Sequence, residues 1–354
     1  MTLVAQNTQP QIVVAGVDTH ADTHVVAVLT MAGQLLDAAR FTADSAGYAA
    51  LTAFVASFGV IDRIGIEVTG AYGAGLTRHL RAVEVEVVEV DIPHPHRRAR
   101  SGKDDFIDAE EAARKVLAGV ATTIPKNTTG PVEAIRVLKI ARDGAVKART
   151  AALQQGRDLL VTAPAEIRET VTGKGLATRL RHFQHTNPDP ARSHEPATAV
   201  MIALRALARR VADLDAEIGE LDRHIDTLTL QHAPTLRTLP QVGPQAAAQL
   251  LITAGTIQNR IRSEAALARL TGIAPVPIAS GKTHRHRLHR GGDRQANRTI
   301  HLIAVGRLRY DARSRDYRDR RTQDGLSKKD IIRCLKRYLC REIHQALKTD
   351  LGWT

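Results

Sequence analysis

The chain has 354 residues, 43% hydrophobic and 25% charged, which is the composition of ordinary globular domains and excludes a disordered or fibrous chain. At about 100–200 residues per domain the length predicts two domains with a connector, and the absence of any run of about 18 apolar residues excludes a membrane-spanning helix. The net charge of +13 points to a polyanionic partner, while 3% aromatic residues argue against base stacking as the main mode of binding.

The first third alternates strand and helix. IVVAGVD (12–18), THVVAVLT (23–30) and LLDAARFTA (35–43) read as three β-branched strands joined by short turns. Ser45, preceded by Asp44, reads as the N-cap of a helix over 46–58. RIGIEV (63–68) is a fourth strand, the turn Gly70 to Gly73 leads into a helix near 74–82, and VEVVEVD (85–91) is a fifth strand. Pro93 and Pro95 break the pattern before a helix over about 104–118. Three meandering strands followed by two crossovers is the order of an RNase H-like α/β fold, although other α/β folds share it.

The middle of the chain is helical. A mixed helical pattern covers 130–160, and the Gly-, Thr-, His- and Pro-rich stretch 170–197 reads as a loop or boundary. Val200, Leu204, Leu207, Val211, Leu214, Ile218, Leu221, Ile225 and Leu228 then recur at alternating spacings of 4 and 3, the seam of a coiled coil. That seam pairs either with the 130–160 helix or with a second copy of the chain, giving a dimer to tetramer through 200–228.

Pro240, Gly243 and Pro244 form a turn opening a helix near 244, similar to the helix-hairpin-helix elements that hold DNA backbone at a helix N-terminus. A helix over 263–271, an extended segment 272–281, a basic ribbon 282–292 and helices near 294–312 and 327–348 complete a mostly α part. The predicted divisions are 10–125, 130–232 and 233–354. Residues 281–354 hold 20 Lys and Arg against 8 Asp and Glu, whereas residues 1–280 hold 30 against 29. Lys282, Arg285, Arg287, Arg290, Arg294 and Arg298 are therefore the candidate nucleic-acid contacts, with a merely solvated face as the alternative. His284, His286, His289 and His301 form a possible zinc set, but the surrounding arginines would repel the ion. Cys334 and Cys340 make neither a disulfide framework nor a zinc pattern and suit a reducing cytoplasm. The N-terminus shows no signal-peptide pattern, so a cytoplasmic location is expected.

Four acids carry the chemical interest. Asp18 ends the first strand, Glu67 lies at the end of the fourth, and Asp105 and Asp108 share one helical face three residues apart. In an RNase H-like sheet, strands one and four are neighbours and the four carboxylates converge. Clustered carboxylates need a cation, and hard oxygen donors select Mg²⁺ or Mn²⁺. Asp104 reads as a helix cap, and His20 and His24 as surface histidines after a strand, with metal ligation as the lesser alternative.

VAGVDTHADTHVVAVLT, IGIEVTGAYG and SGKDDFIDAEEAAR resemble, in order and spacing, the three acidic blocks of the IS110 family of bacterial insertion-sequence transposases, which carry a DEDD site in a RuvC-like domain. LPQVGPQAAAQLL, the segment ending Ala279-Ser280-Gly281, and HRGGDRQANRTIHLIAVGRL resemble the family's second domain. Ala21 replaces a common Lys and Asp104 a common Thr. The resemblance implies that Asp18, Glu67, Asp105 and Asp108 bind Mg²⁺ and that Ser280 is a nucleophile forming a phosphoserine–DNA bond. It also implies duplex donor and target DNA as substrates, a guide RNA from the element's flank, nucleoid association, and assembly in which the acidic domain of one subunit faces the serine of another. A nuclease using water, with Ser280 dispensable, and a catalytically silent nucleic-acid-binding protein are the competing readings.

Overall fold

The computed structural model describes residues 11–91, 104–255, 261–280 and 283–353. They fall into two compact units, 1–130 and 131–354.

The N-terminal unit is built on a five-stranded sheet. Its strands are β1 (Ile12–Thr19), β2 (Thr23–Thr30), β3 (Leu35–Thr42), β4 (Val60–Glu67) and β5 (Val87–Val90), in spatial order β3-β2-β1-β4-β5. The first three pair antiparallel, and β1–β4 and β4–β5 pair parallel. This mixed sheet is consistent with the predicted RNase H-like domain. Helices α1 (Ser45–Ala56) and α2 (Ala74–Ala82) cover one face, and α3 (Asp105–Leu117) covers the other.

Because strand side chains alternate, Val13, Ala15, Val17, Ile64 and Ile66 meet Leu51, Val55, Leu76 and Leu80 on the α1/α2 side. Val14, Val88 and Val90 meet Ala112, Ala113 and Val116 on the α3 side. Both faces are covered, so β1 and β2 are apolar throughout rather than alternating. The N-cap of α1 is Asp44, not Ser45: its carboxylate accepts from the Gly47 N–H at 2.8 Å, a stronger, charge-assisted cap than a hydroxyl.

Two glycines set the height of α3. A Cβ on Gly16 would stand 2.1 Å from the backbone nitrogen of Ala113, and one on Gly65 would stand 2.3 Å from a Val116 methyl. Only glycine allows the helix, with its small Ala109, Ala112 and Ala113 face, to lie this close to the sheet.

The second unit is mostly helical. Helix α4 (Gly130–Thr162) and helix α7 (Pro196–His232) run antiparallel, bridged by Arg142 with Asp222 at 2.9 Å and by Arg149 with Asp215. The stretch 170–197 is not a plain loop. It holds α6 (Leu176–Phe183) after the short α5 (Ala165–Glu169), and Val171, Leu180 and Phe183 enter a core with Ala152, Leu160, Leu204, Leu207 and Val211. The ends of the α7 seam are thus buried within the chain, with Ile225 in the C-terminal core, while Leu214, Ile218 and Leu221 are half-buried.

Beyond α7 come α8 (Pro234–Thr238), α9 (Pro244–Ala254) and α10 (Glu264–Leu270). A two-stranded ribbon follows, β6 (Val276–Ser280) with β7 (Thr283–Arg287), and then α11 (Arg294–Tyr310), α12 (Ala312–Gln323) and α13 (Lys328–Leu351). Their core includes Val132 and Ile135 of α4 as well as Leu250, Ile300, Leu339 and Ile343. No helix among the described residues is long and apolar enough to cross a membrane.

Candidate metal centre and nucleic-acid interface

The parallel register of Val17 with Ile66 brings the ends of β1 and β4 level, so Asp18 and Glu67 occupy neighbouring strand ends. The Thr19 hydroxyl fastens them by donating to the Glu67 carbonyl at 3.0 Å. By strand alternation both acids belong to the face that Gly16 and Gly65 open to α3. Asp104 caps α3, its carboxylate accepting from the Phe106 N–H at 2.9 Å, as the sequence predicts. Asp105 and Asp108 lie in the first turn, where the helix dipole favours negative charge. Asp18, Glu67 and Asp108 are all buried.

His20 completes the cluster. Its Nε2 lies 3.1 Å from Asp18 Oδ2 and 3.2 Å from Asp105 Oδ1. Asp18, His20 and Asp105 each offer a ligand atom, all within 4.8 Å of one another. Arg40 of β3 donates to the other Asp105 oxygen at 3.0 Å. Burial pushes the Asp18 carboxyl above its ordinary pKa; Asp108 and Asp105 push the same way, and His20 pulls it back. A buried carboxylate held among other carboxylates is costly to ionise without a cation. Two carboxylates and an imidazole therefore form a donor set that fits a divalent metal ion.

His24 departs from the surface position predicted for it. It is fully buried, stacked on Tyr48 with ring centroids 5.6 Å apart, and its Nδ1–H donates to the Thr23 carbonyl at 3.1 Å.

In the second unit the backbone of Ser280 ends β6 and pairs with Thr283 of β7. Lys282 lies outside the described residues, and Arg285 is placed as a β7 residue pairing with Ile278. Arg287, Arg290, Arg294 and Arg298 come together around one cavity of about 860 Å³. Lys329, Arg333 and Lys336 of α13 join them there.

Residues 15–163 match a family model of the DEDD IS110 transposases, and residues 233–319 match the model of the transposase IS116/IS110/IS902 family. The chain belongs to the IS110 family of transposases. It is 33% identical over 134 residues to the "Insertion element IS110 uncharacterized 43.6 kDa protein" of Streptomyces coelicolor, covering 37% of this chain and 33% of that protein. It is 32% identical over 134 residues to the "Insertion element IS900 uncharacterized 42 kDa protein" of Mycobacterium paratuberculosis, covering 37% of this chain and 34% of that one. The chain thus spans about a third of the length of the curated relatives it matches.

Within this IS110-family chain, sequence reasoning missed three features of the two sites. His20 reads as a ligand only second to a surface role, yet it carried a usable signal: residues i and i+2 of an extended chain share a face, and His20 follows Asp18 by two, one residue past the end of β1. Lys329, Arg333 and Lys336 carried another, since spacings of 4 and 3 align them on one face of α13. Arg40 carried none: it reaches Asp105 from a strand 65 residues away.

Proposed function

We propose that this chain is a DNA transposase that cleaves, exchanges and rejoins strands of duplex donor and target DNA belonging to an insertion element. The observation that carries the reading is the meeting of Asp18, His20 and Asp105 at the end of the central strand, beside Glu67 and Asp108, in a chain of the IS110 family.

Asp18, Glu67, Asp105 and Asp108 would hold Mg²⁺ or Mn²⁺, which when bound neutralises phosphate charge and lowers the pKa of an attacking hydroxyl. Arg40 offsets part of the charge of Asp105, and the His20 imidazole lies within hydrogen-bonding distance of both Asp18 and Asp105. Ser280 supplies the nucleophile. Its Oγ bonds to the scissile phosphorus, the bond from phosphorus to a deoxyribose oxygen breaks, and the hydroxyl proton ends on that oxygen. The phosphoserine link retains the phosphodiester energy, so attack by a deoxyribose hydroxyl reseals the strand without ATP. Lys282, Arg285, Arg287, Arg290, Arg294 and Arg298 grip backbone phosphates. A structured RNA from the element's flank selects the DNA, and copies of the chain assemble as a dimer to tetramer through the part of the 200–228 seam around Leu214, Ile218 and Leu221 that the fold leaves half-buried.

A trapping assay tests this. Protein, Mg²⁺, donor and target DNA and the flank-encoded RNA are mixed, denatured in SDS and resolved for a protein–DNA band. The expected result is an adduct that disappears in Ser280→Ala and in Asp18→Asn. Free DNA ends without an adduct would replace the serine mechanism with a water-using nuclease. Binding without cleavage would leave a silent nucleic-acid-binding protein.

A further inference from the structure

The basic cavity of the second unit has a shape that duplex contact does not require. Its walls come from four places: the segment after α10, the end of β7, the first turns of α11 and the first turns of α13. Arg287, Arg290, Arg294, Arg298, Lys329 and Lys336 line it, and none of these six makes an ion pair among the described residues. The acids in the wall are already engaged. Asp293 caps α11 and accepts from Thr253 at 2.6 Å, while Asp330 binds Ser327 and Arg333. The cavity therefore carries uncompensated positive charge.

Lys336 is the clearest case. It is half-buried, its ammonium donates to Asn297 Oδ1 at 2.6 Å, and Asn297 in turn is held by donating to the Thr271 carbonyl at 2.7 Å. Burial pushes the Lys336 ammonium below its ordinary pKa. A cation pulled out of water with one neutral acceptor is stabilised strongly by an arriving anion. The lining of the same cavity also includes the apolar side chains of Ile273, Pro275, Leu288 and Ile332, and Leu288 is 58% exposed. Its histidines and arginines offer flat surfaces on which a base can stack.

Size decides between a paired and an unpaired occupant. A volume of about 860 Å³ is that of a pocket for a single small ligand. A duplex, whose major groove alone is about 12 Å wide, cannot enter it. The arginines at the rim can hold the phosphates of a duplex lying across the mouth, while the interior, with Ile273, Pro275, Leu288 and Ile332 in its lining, has room only for an unpaired nucleotide.

We propose that this cavity receives one unpaired nucleotide of the bound nucleic acid, its phosphate against Lys336 and the arginine rim and its base against Ile273, Pro275, Leu288 and Ile332. The inference rests on the second unit being a nucleic-acid-binding unit and deepens it: the cavity is selective for a base that is already out of its stack.

The test uses the full chain and fluorescein-labelled short duplexes, one fully paired and one carrying a single unpaired nucleotide, with binding read by anisotropy. Wild type is expected to bind the bulged duplex about tenfold more tightly, the size of one base-stacking contact. Lys336→Met, which keeps the buried stem, is expected to lose that preference while still binding the paired duplex. Equal affinity of wild type for the paired and bulged duplexes, in DNA and in RNA alike, overturns the proposal and leaves the nucleic-acid reading standing; no binding to any of them overturns both. A readout without any variant is photocrosslinking from 5-iodouracil at the unpaired position, expected to label 273–301 or 329–337. Labelling confined to other segments overturns the assignment. Repeating the bulge in an RNA duplex shows whether DNA or RNA supplies the nucleotide; a preference in either supports the cavity.

Discussion

His24 shows how one buried side chain couples the N-terminal unit to pH. Burial holds its imidazole below the ordinary value of 6.5, with the Thr23 carbonyl pulling the other way. The unfolded chain therefore takes up a proton that the folded chain refuses. This contribution to stability is complete above about pH 6.5 and is lost as pH falls below it. Chemical denaturation between about pH 7 and 5 should show wild type losing more stability than His24→Phe; parallel losses would mean that His24 charges freely in the fold. The four acids were legible from the sequence because each stands at a strand end or a helix start, where topology fixes position. His24 was not: its polarity suggested solvent, and only the Tyr48 ring, 24 residues on, explains its burial.

The seating of α3 on the sheet is the element on which the acidic cluster depends. Gly16→Ala places a methyl group against the Ala113 and Ala109 backbone, which cannot rotate aside as a side chain can. The expected cost is about 2 kcal/mol or more, seen as a fall in melting temperature. The same change should weaken Mn²⁺ binding, measured by electron paramagnetic resonance, because Asp105 and Asp108 ride on the displaced helix. An unchanged melting temperature would mean that α3 lies further from the sheet. The strands were legible from their β-branched runs, and α3 from the Asp104 cap. The 170–197 stretch was misread because its Gly, Thr and Pro content masked Leu176, Leu180 and Phe183, whose spacing of 4 and 3 marks a helix face. In α7 the seam was legible but not its partner. Arg142 and Arg149 make their ion pairs across 80 and 66 residues, beyond the reach of local pattern.

The charge of the molecule divides as its units do. Residues 1–130 hold 11 Lys and Arg against 15 Asp and Glu, a net of −4, and residues 131–354 hold 39 against 22, a net of +17. A fragment of residues 131–354, which contains its own core, should bind duplex DNA with an affinity that falls by about a hundredfold or more as salt is raised. Residues 1–130 alone should bind weakly at any salt. Equal binding by the two fragments would move the nucleic-acid interface away from the basic unit. The basic tail of the sequence held most of the cations that line the cavity; its concave form was not legible, because it is assembled from four separate segments.

The placement of Asp18 and Ser280 in different compact units has a genetic consequence. On the proposed roles, a chain with Asp18→Asn and a chain with Ser280→Ala are each defective in one half only. Where reaction centres are composed from two copies, mixing the two defective proteins should restore part of the lost activity, as two alleles complement one another. Where each copy acts on its own, the mixture should remain dead. Restored activity in the mixture would make the molecule a two-key lock, in which a lone copy that meets DNA before its partners arrive leaves that DNA uncut.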